Sequence, residues 1–235
     1  ENSGTVKNLN SAIRLSHGKY VKGVSSEDKL ARPDALSIYV NFMELHDSKV
    51  AFAKMRGVTP EGKYYYKLQS CDFNFELLRS YTVKQTRSRL FSRNFLPAPT
   101  WMIRSDVFKT YGLFSEKMRL IEDYPYWLYL TEKNVPFDYL DEIMMDYKLS
   151  GVSSAGSYSE TFMKDMLKIY DEFIFPYDKR YGILQPLYNA LKRAGLNFYM
   201  QEAKRNSMSR TQKIYARIKY LPFWIMVSFQ NKVNK

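Results

Sequence analysis

Gly18-Lys19-Tyr20-Val21-Lys22-Gly23-Val24-Ser25-Ser26-Glu27-Asp28 is the stretch on which the fold turns. Gly18 stops a helix whose apolar positions Val6, Leu9 and Ile13 repeat at helical spacing, and Tyr20 to Val24 has the length and composition of a short strand. The segment closes in a polar turn that carries two carboxylates. Pro33 with Asp34 then opens a second helix, with Leu36, Tyr39, Val40 and Met43 on one face, and Val50 to Met55 alternates like the next strand. Residues 1 to 55 therefore read as α/β crossover material.

Farther along, Thr59-Pro60-Glu61-Gly62 is a turn and Ser70 to Arg89 is expected to be helical. Trp101 to Ile103 forms a short apolar stretch after Pro97 and Pro99, and Ser105 caps a brief helix that Gly112 ends. Glu122-Asp123 precedes a helix over Tyr124 to Lys133 that has Trp127, Leu128 and Leu130 to bury, and acidic residues at a helix start suit its dipole. Two short strands, Phe137 to Leu140 and Ile143 to Tyr147, are expected next. From Tyr158 the pattern turns helical through Phe162, Met166, Ile169, Tyr170 and Phe173, and a further helix covers Ile183 to Tyr199. A boundary near Ala155 divides an α/β domain, residues 1–155, from a helical extension, residues 156–235.

The 235 residues are 45% hydrophobic and 26% charged, a globular composition rather than a disordered one. Thirty-six Lys and Arg against twenty-four Asp and Glu leave a net charge of +12, which favours an anionic partner without choosing among nucleic acid, phosphorylated substrate and membrane. One cysteine, Cys71, and two histidines, His17 and His46, exclude a disulfide framework and a zinc centre, so a metal here must be held by oxygen. No apolar run is long enough to span a bilayer and no signal pattern opens the chain, which begins at Glu1 without methionine. The chain reads as soluble or surface-bound, and as a piece of something longer.

Both acid pairs, Glu27-Asp28 and Glu122-Asp123, stand at the edge of a predicted element, and open α/β sheets place ligands on turns at strand ends. Hard oxygen donors suit magnesium or manganese bridging a diphosphate, and a separate carboxylate can serve as general base toward a hydroxyl. Acid pairs are also common on solvated turns and helix starts.

Asn2, Gly4, Asn10, Ile13, Gly18-Lys19-Tyr20-Val21, the acidic turn and Pro33 together resemble the middle of a family-2 glycosyltransferase. Pro97-Ala98-Pro99-Thr100, Arg104, Gly112-Leu113-Phe114, Glu122-Asp123-Tyr124, Trp127-Leu128 and Tyr147-Lys148 with Gly151, Ser153 and Ser154 are similar to its second half, in order and approximate spacing. The resemblance covers residues 2 to 154. It implies a GT-A three-layer α/β/α sandwich, here lacking its N-terminal nucleotide-binding half and followed by the helical extension. It implies an inverting transfer of a sugar from a nucleotide-sugar donor to a hydroxyl of a growing glycan, as in capsule, O-antigen or exopolysaccharide assembly.

Residue by residue, the resemblance makes Glu27 and Asp28 the ligands of a Mn2+ or Mg2+ ion and, with Ser25, the binders of the donor diphosphate. Ser25 stands where the family's acidic D-x-D turn has its first Asp, and Glu27 where it has its second. Asp123 becomes the base that deprotonates the acceptor, with Glu122 beside it. Thr100 and Trp101 are expected to line the sugar pocket, and Lys148, where relatives often carry Arg, to meet phosphate. Leu9 replaces an Arg that precedes the Asn of relatives.

Two other readings remain open at this level. One is a non-catalytic basic module binding a membrane or nucleic acid through Arg79, Lys84, Arg87, Arg89 and Arg93, although no nucleic-acid motif is present and no such partner is expected. The other is an inactive relative. Residues 204–235 place Lys204, Arg205, Arg210, Lys213, Arg217 and Lys219 ahead of the aromatic run Tyr220 to Phe229. That pattern suits a tail docked on anionic lipid, and so a cytoplasmic protein held peripherally on the inner face of the plasma membrane near a lipid-linked acceptor.

Overall fold

The computed structural model describes residues 4–65, 78–149 and 159–203, together with Thr211 and Ile214. The chain divides between Ala155 and Gly156 into two units. In the first, strand β3 (Val50–Val58) is the spine. Val50, Ala51, Phe52 and Ala53 are all fully buried, so the alternation expected from the sequence is absent: β3 is an inner strand covered on both faces. Its parallel partner is β6 (Asp138–Lys148), and the remaining pairs are antiparallel.

β6 corrects the expectation of two short strands. Leu140 pairs with Ala53 and Ile143 pairs with the very next residue, Lys54, so Asp141 and Glu142 are taken up as an irregularity within one continuous strand. The Lys54 ammonium meets the Asp141 carboxylate at that point. The sheet order is β1-β5-β3-β6-β2, with β1 Tyr20–Val21, β2 Lys29–Leu30 and β5 Met102–Arg104, while β4 (Tyr64–Tyr65) pairs with the far end of β3.

Helices brace this sheet for local reasons. Helix α1 (Thr5–Leu15) buries Val6, Asn10 and Ile13; the Asn10 side chain donates to Phe114 O at 2.9 Å and accepts from Phe114 N at 3.1 Å. In α2 (Ala35–Leu45) the buried stripe is Ala35, Tyr39 and Met43, spaced by four, and Leu36 stays 45% exposed because it lies one residue off that stripe. Within the expected 70–89 helix, residues 70–77 lie outside the described residues; α3 (Val83–Leu90) starts at a Thr82/Gln85 capping box. Ser105 is the first residue of α4 (Ser105–Tyr111) rather than its cap, and Gly112 ends it at φ 84°.

Helix α5 (Asp123–Glu132) is buried almost all round. Trp127 sets its ring edge-on to Phe52 at 5.0 Å and to Phe137 at 5.9 Å, fastening the helix to the starts of β3 and β6. In the second unit, α6 (Glu160–Ile169) is capped by Ser159, whose hydroxyl accepts from Phe162 N at 3.1 Å. It runs on into a π turn, Tyr170–Ile174, which moves the buried face from the expected Phe173 to Ile174. A 3-10 turn, Gly182–Leu184, precedes α7 (Gln185–Ala203), so the expected helix begins two residues later.

Candidate functional site

The acidic turn is closed by Asp28 N donating to Ser25 O at 3.1 Å, which leaves Ser25 and Glu27 exposed and Asp28 half-buried. Lys148, at the carboxyl end of β6, joins it twice: its backbone N–H donates to Asp28 Oδ1 at 3.1 Å, and its Nζ lies 3.5 Å from Glu27 Oε1. Lys148, 120 residues from Asp28, thus joins Ser25, Glu27 and Asp28 in one cluster where a parallel strand ends. Partial burial raises the Asp28 pKa and Glu27 adds to it, against the Lys148 N–H and the nearby Lys22. Two hard carboxylates side by side suit Mn2+ or Mg2+, which take one or two carboxylates and complete their shell with phosphate and water. Among the described residues no group of three or more His, Cys, Asp and Glu converges, so such an ion depends on its ligand for the rest of its shell.

Sequence reading missed Lys22. It looks like an ordinary strand residue, yet its Nζ donates to Gly23 O at 2.7 Å and to Pro99 O at 2.6 Å and lies 5.6 Å from the Trp101 ring. Burial, opposed by the charge of Asp28, brings its pKa down to about 7. For a base depressed below its unfolded value, the stability contribution is full above about 10.5 and is lost as pH falls through about 7. Wild-type urea midpoints should therefore rise from pH 7 to pH 10 relative to those of Lys22→Met, and parallel pH profiles would disprove the buried charge.

The second acid pair heads α5. Asp123 is 6% exposed and its Oδ2 accepts from Asn94 Nδ2 at 2.7 Å, while Glu122 is half-buried beside it. Desolvation raises the pKa of Asp123 although the Asn94 bond opposes it; desolvation and then the neighbouring Asp123 charge raise that of Glu122. Asn94 was not singled out from sequence, and an Asn in a polar loop carries no local signal of such a contact.

One loop links the two clusters. Asn94 holds Asp123 at one end and Pro99 accepts from Lys22 near the other, so at most about 18 Å of chain separates the two anchor points. Its 3-10 turn, Ala98–Thr100, lies against β3 and β6. Thr100 is fully buried, with its hydroxyl donating to Pro97 O at 2.9 Å and its carbonyl accepting from Tyr39 at 2.5 Å. Trp101 is 2% exposed and packs so tightly on Gly23 that a Cβ there would come within 2.6 Å of the indole. Thr100 and Trp101, expected to line the sugar pocket, both have their side chains buried in the core.

The basic cluster that could have marked a nucleic-acid or membrane module is largely consumed inside the unit. Arg79 Nε donates to Tyr139 O at 3.0 Å, Arg87 pairs with Glu132 at 3.1 Å and Arg89 donates to the Tyr81 hydroxyl at 2.8 Å. A cleft of about 370 Å3 between Phe42, His46, Arg79, Phe137, Asp138 and Tyr139 lies at the opposite, amino end of β6. Gly151, Ser153, Ser154, Cys71 and almost all of the basic tail 204–235 lie outside the described residues.

These elements form a GT-A-type α/β fold. No protein-family profile matches the chain. It is 22% identical over 149 residues to the uncharacterized glycosyltransferase MJ1057 of Methanocaldococcus jannaschii, a similarity covering 63% of this chain and 48% of that one. Among solved structures it is similar to S. aureus TarS 1–349 in complex with UDP-GlcNAc, at TM-score 0.53 and 21% identity over 95% of this chain and 59% of that one. It is also similar to the mannosyltransferase PcManGT of Pyrobaculum calidifontis in complex with GDP-Man and Mn2+, at TM-score 0.50 and 12% identity over 97% of this chain and 64% of that one. The chain is thus glycosyltransferase-like in sequence and in fold, and it spans about half the length of the curated relative it matches.

Proposed function

We propose that this chain carries the acceptor-activating and diphosphate-binding part of an inverting glycosyltransferase that moves a sugar from a nucleotide-sugar donor to a hydroxyl of a growing glycan in cell-surface polysaccharide synthesis. The observation that carries the reading is Asp123, a carboxylate buried at the start of α5 and held by Asn94 at 2.7 Å. A sugar hydroxyl is a poor nucleophile at neutral pH, and a positioned carboxylate that accepts its proton lowers the barrier to direct displacement at the anomeric carbon. One displacement inverts that carbon.

Glu27 and Asp28 would hold Mn2+ or Mg2+, whose part is to neutralise charge on the departing diphosphate. Lys148 adds a cation at the same turn. Relatives in fold crystallised with UDP-GlcNAc and with GDP-Man and Mn2+ support a donor of this class. The acceptor in this reading is a glycan or a lipid-linked saccharide, and the basic aromatic tail 204–235 keeps the protein on the cytoplasmic face of a membrane near it.

Asp28→Asn tests the diphosphate site, because the amide oxygen can still accept the Lys148 N–H while the charge is lost. Calorimetric titration of the whole protein with nucleotide-sugar and Mn2+ should show affinity falling at least tenfold in the variant and on adding EDTA to the wild type. Equal affinity in all three would exclude a metal-bridged diphosphate at this turn.

A further inference from the structure

The loop from Asn94 to Trp101 is built as a stiff strut. Phe95, Leu96 and Thr100 are buried, Pro97 and Pro99 fix two φ angles, and the Thr100 amide and hydroxyl both donate to Pro97 O at 2.9 Å. At one end Leu96 N donates to Asn94 Oδ1 at 3.3 Å, which turns the Asn94 Nδ2 toward the Asp123 carboxylate. Near the other end the Lys22 ammonium donates to Pro99 O at 2.6 Å and to Gly23 O at 2.7 Å, and it interacts with the charge of Asp28 in the acidic turn. A single cation thus bonds to the strut and faces the carboxylate cluster.

Packing does not require an ammonium at this place. The Trp101 indole already closes on Gly23, and an aliphatic side chain at position 22 could lie along the same ring without taking a cation out of water. Donation is what an aliphatic chain lacks. Charge-assisted bonds to carbonyls of two segments fix their relative place, and a strut stiffened by two prolines carries that constraint from Pro99 to Asn94. Placement of this kind bears on rate, since a displacement of about 1 Å at a reacting group can cost on the order of a hundredfold.

We propose that Lys22 is a positioning residue for the transfer: by tying Pro99 to the segment that runs from β1 into the acidic turn, it holds Asn94, and through it Asp123, in place relative to Glu27 and Asp28. This role rests on the reading of Asp123 as base and of Glu27 and Asp28 as the diphosphate site. Lys22→Met keeps an unbranched chain along Trp101 and removes the donor. In the whole protein it should lower kcat at least tenfold, while calorimetric affinity for nucleotide-sugar with Mn2+ stays within threefold of wild type. Hydrogen exchange, read without donor, should quicken severalfold at the Leu96 and Thr100 amides and stay unchanged in β3. Lys22→Gln, which keeps a neutral donor, should lose less turnover. Asn94→Ala should lower kcat as well, and adding Lys22→Met to it should cost little more, because both act through one strut. Lys19→Met, which removes an exposed lysine three residues away, should turn over as wild type.

Turnover of Lys22→Met within threefold of wild type overturns the proposal. So does a loss confined to donor affinity, which would make Lys22 a phosphate contact, and so do losses that multiply in the double variant, which would make the two residues act separately. The two readings fail in different ways: an active Asp123→Asn removes the base and this role together, whereas an inactive Asp123→Asn beside an unimpaired Lys22→Met removes the positioning alone.

Discussion

Asp123→Asn should lower the turnover of the whole enzyme by two to four orders of magnitude, a loss of about 3–5 kcal/mol of transition-state stabilisation. The substitution is nearly isosteric and an amide oxygen can still accept from Asn94, so the fold and the donor KM should stay close to wild type. Only the capacity to take the acceptor proton is removed. Because a base works ionised and burial raises this carboxyl, the acid limb of the wild-type kcat profile should lie above the ordinary carboxylate range. Turnover within tenfold of wild type in the variant would remove Asp123 from the chemistry.

Trp127→Ala should be the most damaging single truncation in the first unit, costing about 3–5 kcal/mol and lowering the thermal midpoint by roughly 10 °C. The indole is fully buried and makes edge contacts with Phe52 on β3 and Phe137 ahead of β6, so its loss leaves a cavity between helix and sheet that no neighbour can fill without leaving its own partners. Trp127→Phe keeps an edge contact and should cost less than half as much. Asp123 lies one turn before Trp127, so any alanine variant that still folds should also lose turnover by misplacing the carboxylate. A midpoint shift of a degree or two would mean that the helix is anchored elsewhere.

These effects depend on residues of two kinds. The acidic turn after Tyr20–Val21 and the acid pair heading α5 were legible in the sequence because strand ends, turns and helix starts leave local composition signals: polar clusters, caps and acids at a dipole. The helices at Thr5–Leu15, Ala35–Leu45, Asp123–Glu132 and Glu160–Ile169, and the change to helical pattern after residue 155, were legible for the same reason, whereas the two-residue strands β2 and β4 were not. Lys22 and Asn94 were not. Their partners lie 77 and 29 residues away, and nothing within a turn of chain distinguishes a lysine that donates into a buried loop from one that points to water.

Where the pattern misled, a long-range pairing overrode it. Two strands were expected around Asp141-Glu142 because two charges interrupt the apolar run, yet β3 pairs on both sides of them and carries one strand through the irregularity. The family resemblance gave Thr100 and Trp101 a pocket-lining place; the Tyr39 hydrogen bond to the Thr100 carbonyl and the packing of Trp101 on Gly23 bury both instead. By itself the sequence determined where carboxylates occur along an α/β chain, since short-range propensity and capping act within a few residues. The joining of Lys148 to Glu27 and Asp28, and the linking of that cluster to Asp123 by one loop, were decided by tertiary structure alone, because desolvation and hydrogen bonding across 120 residues have no counterpart in local pattern.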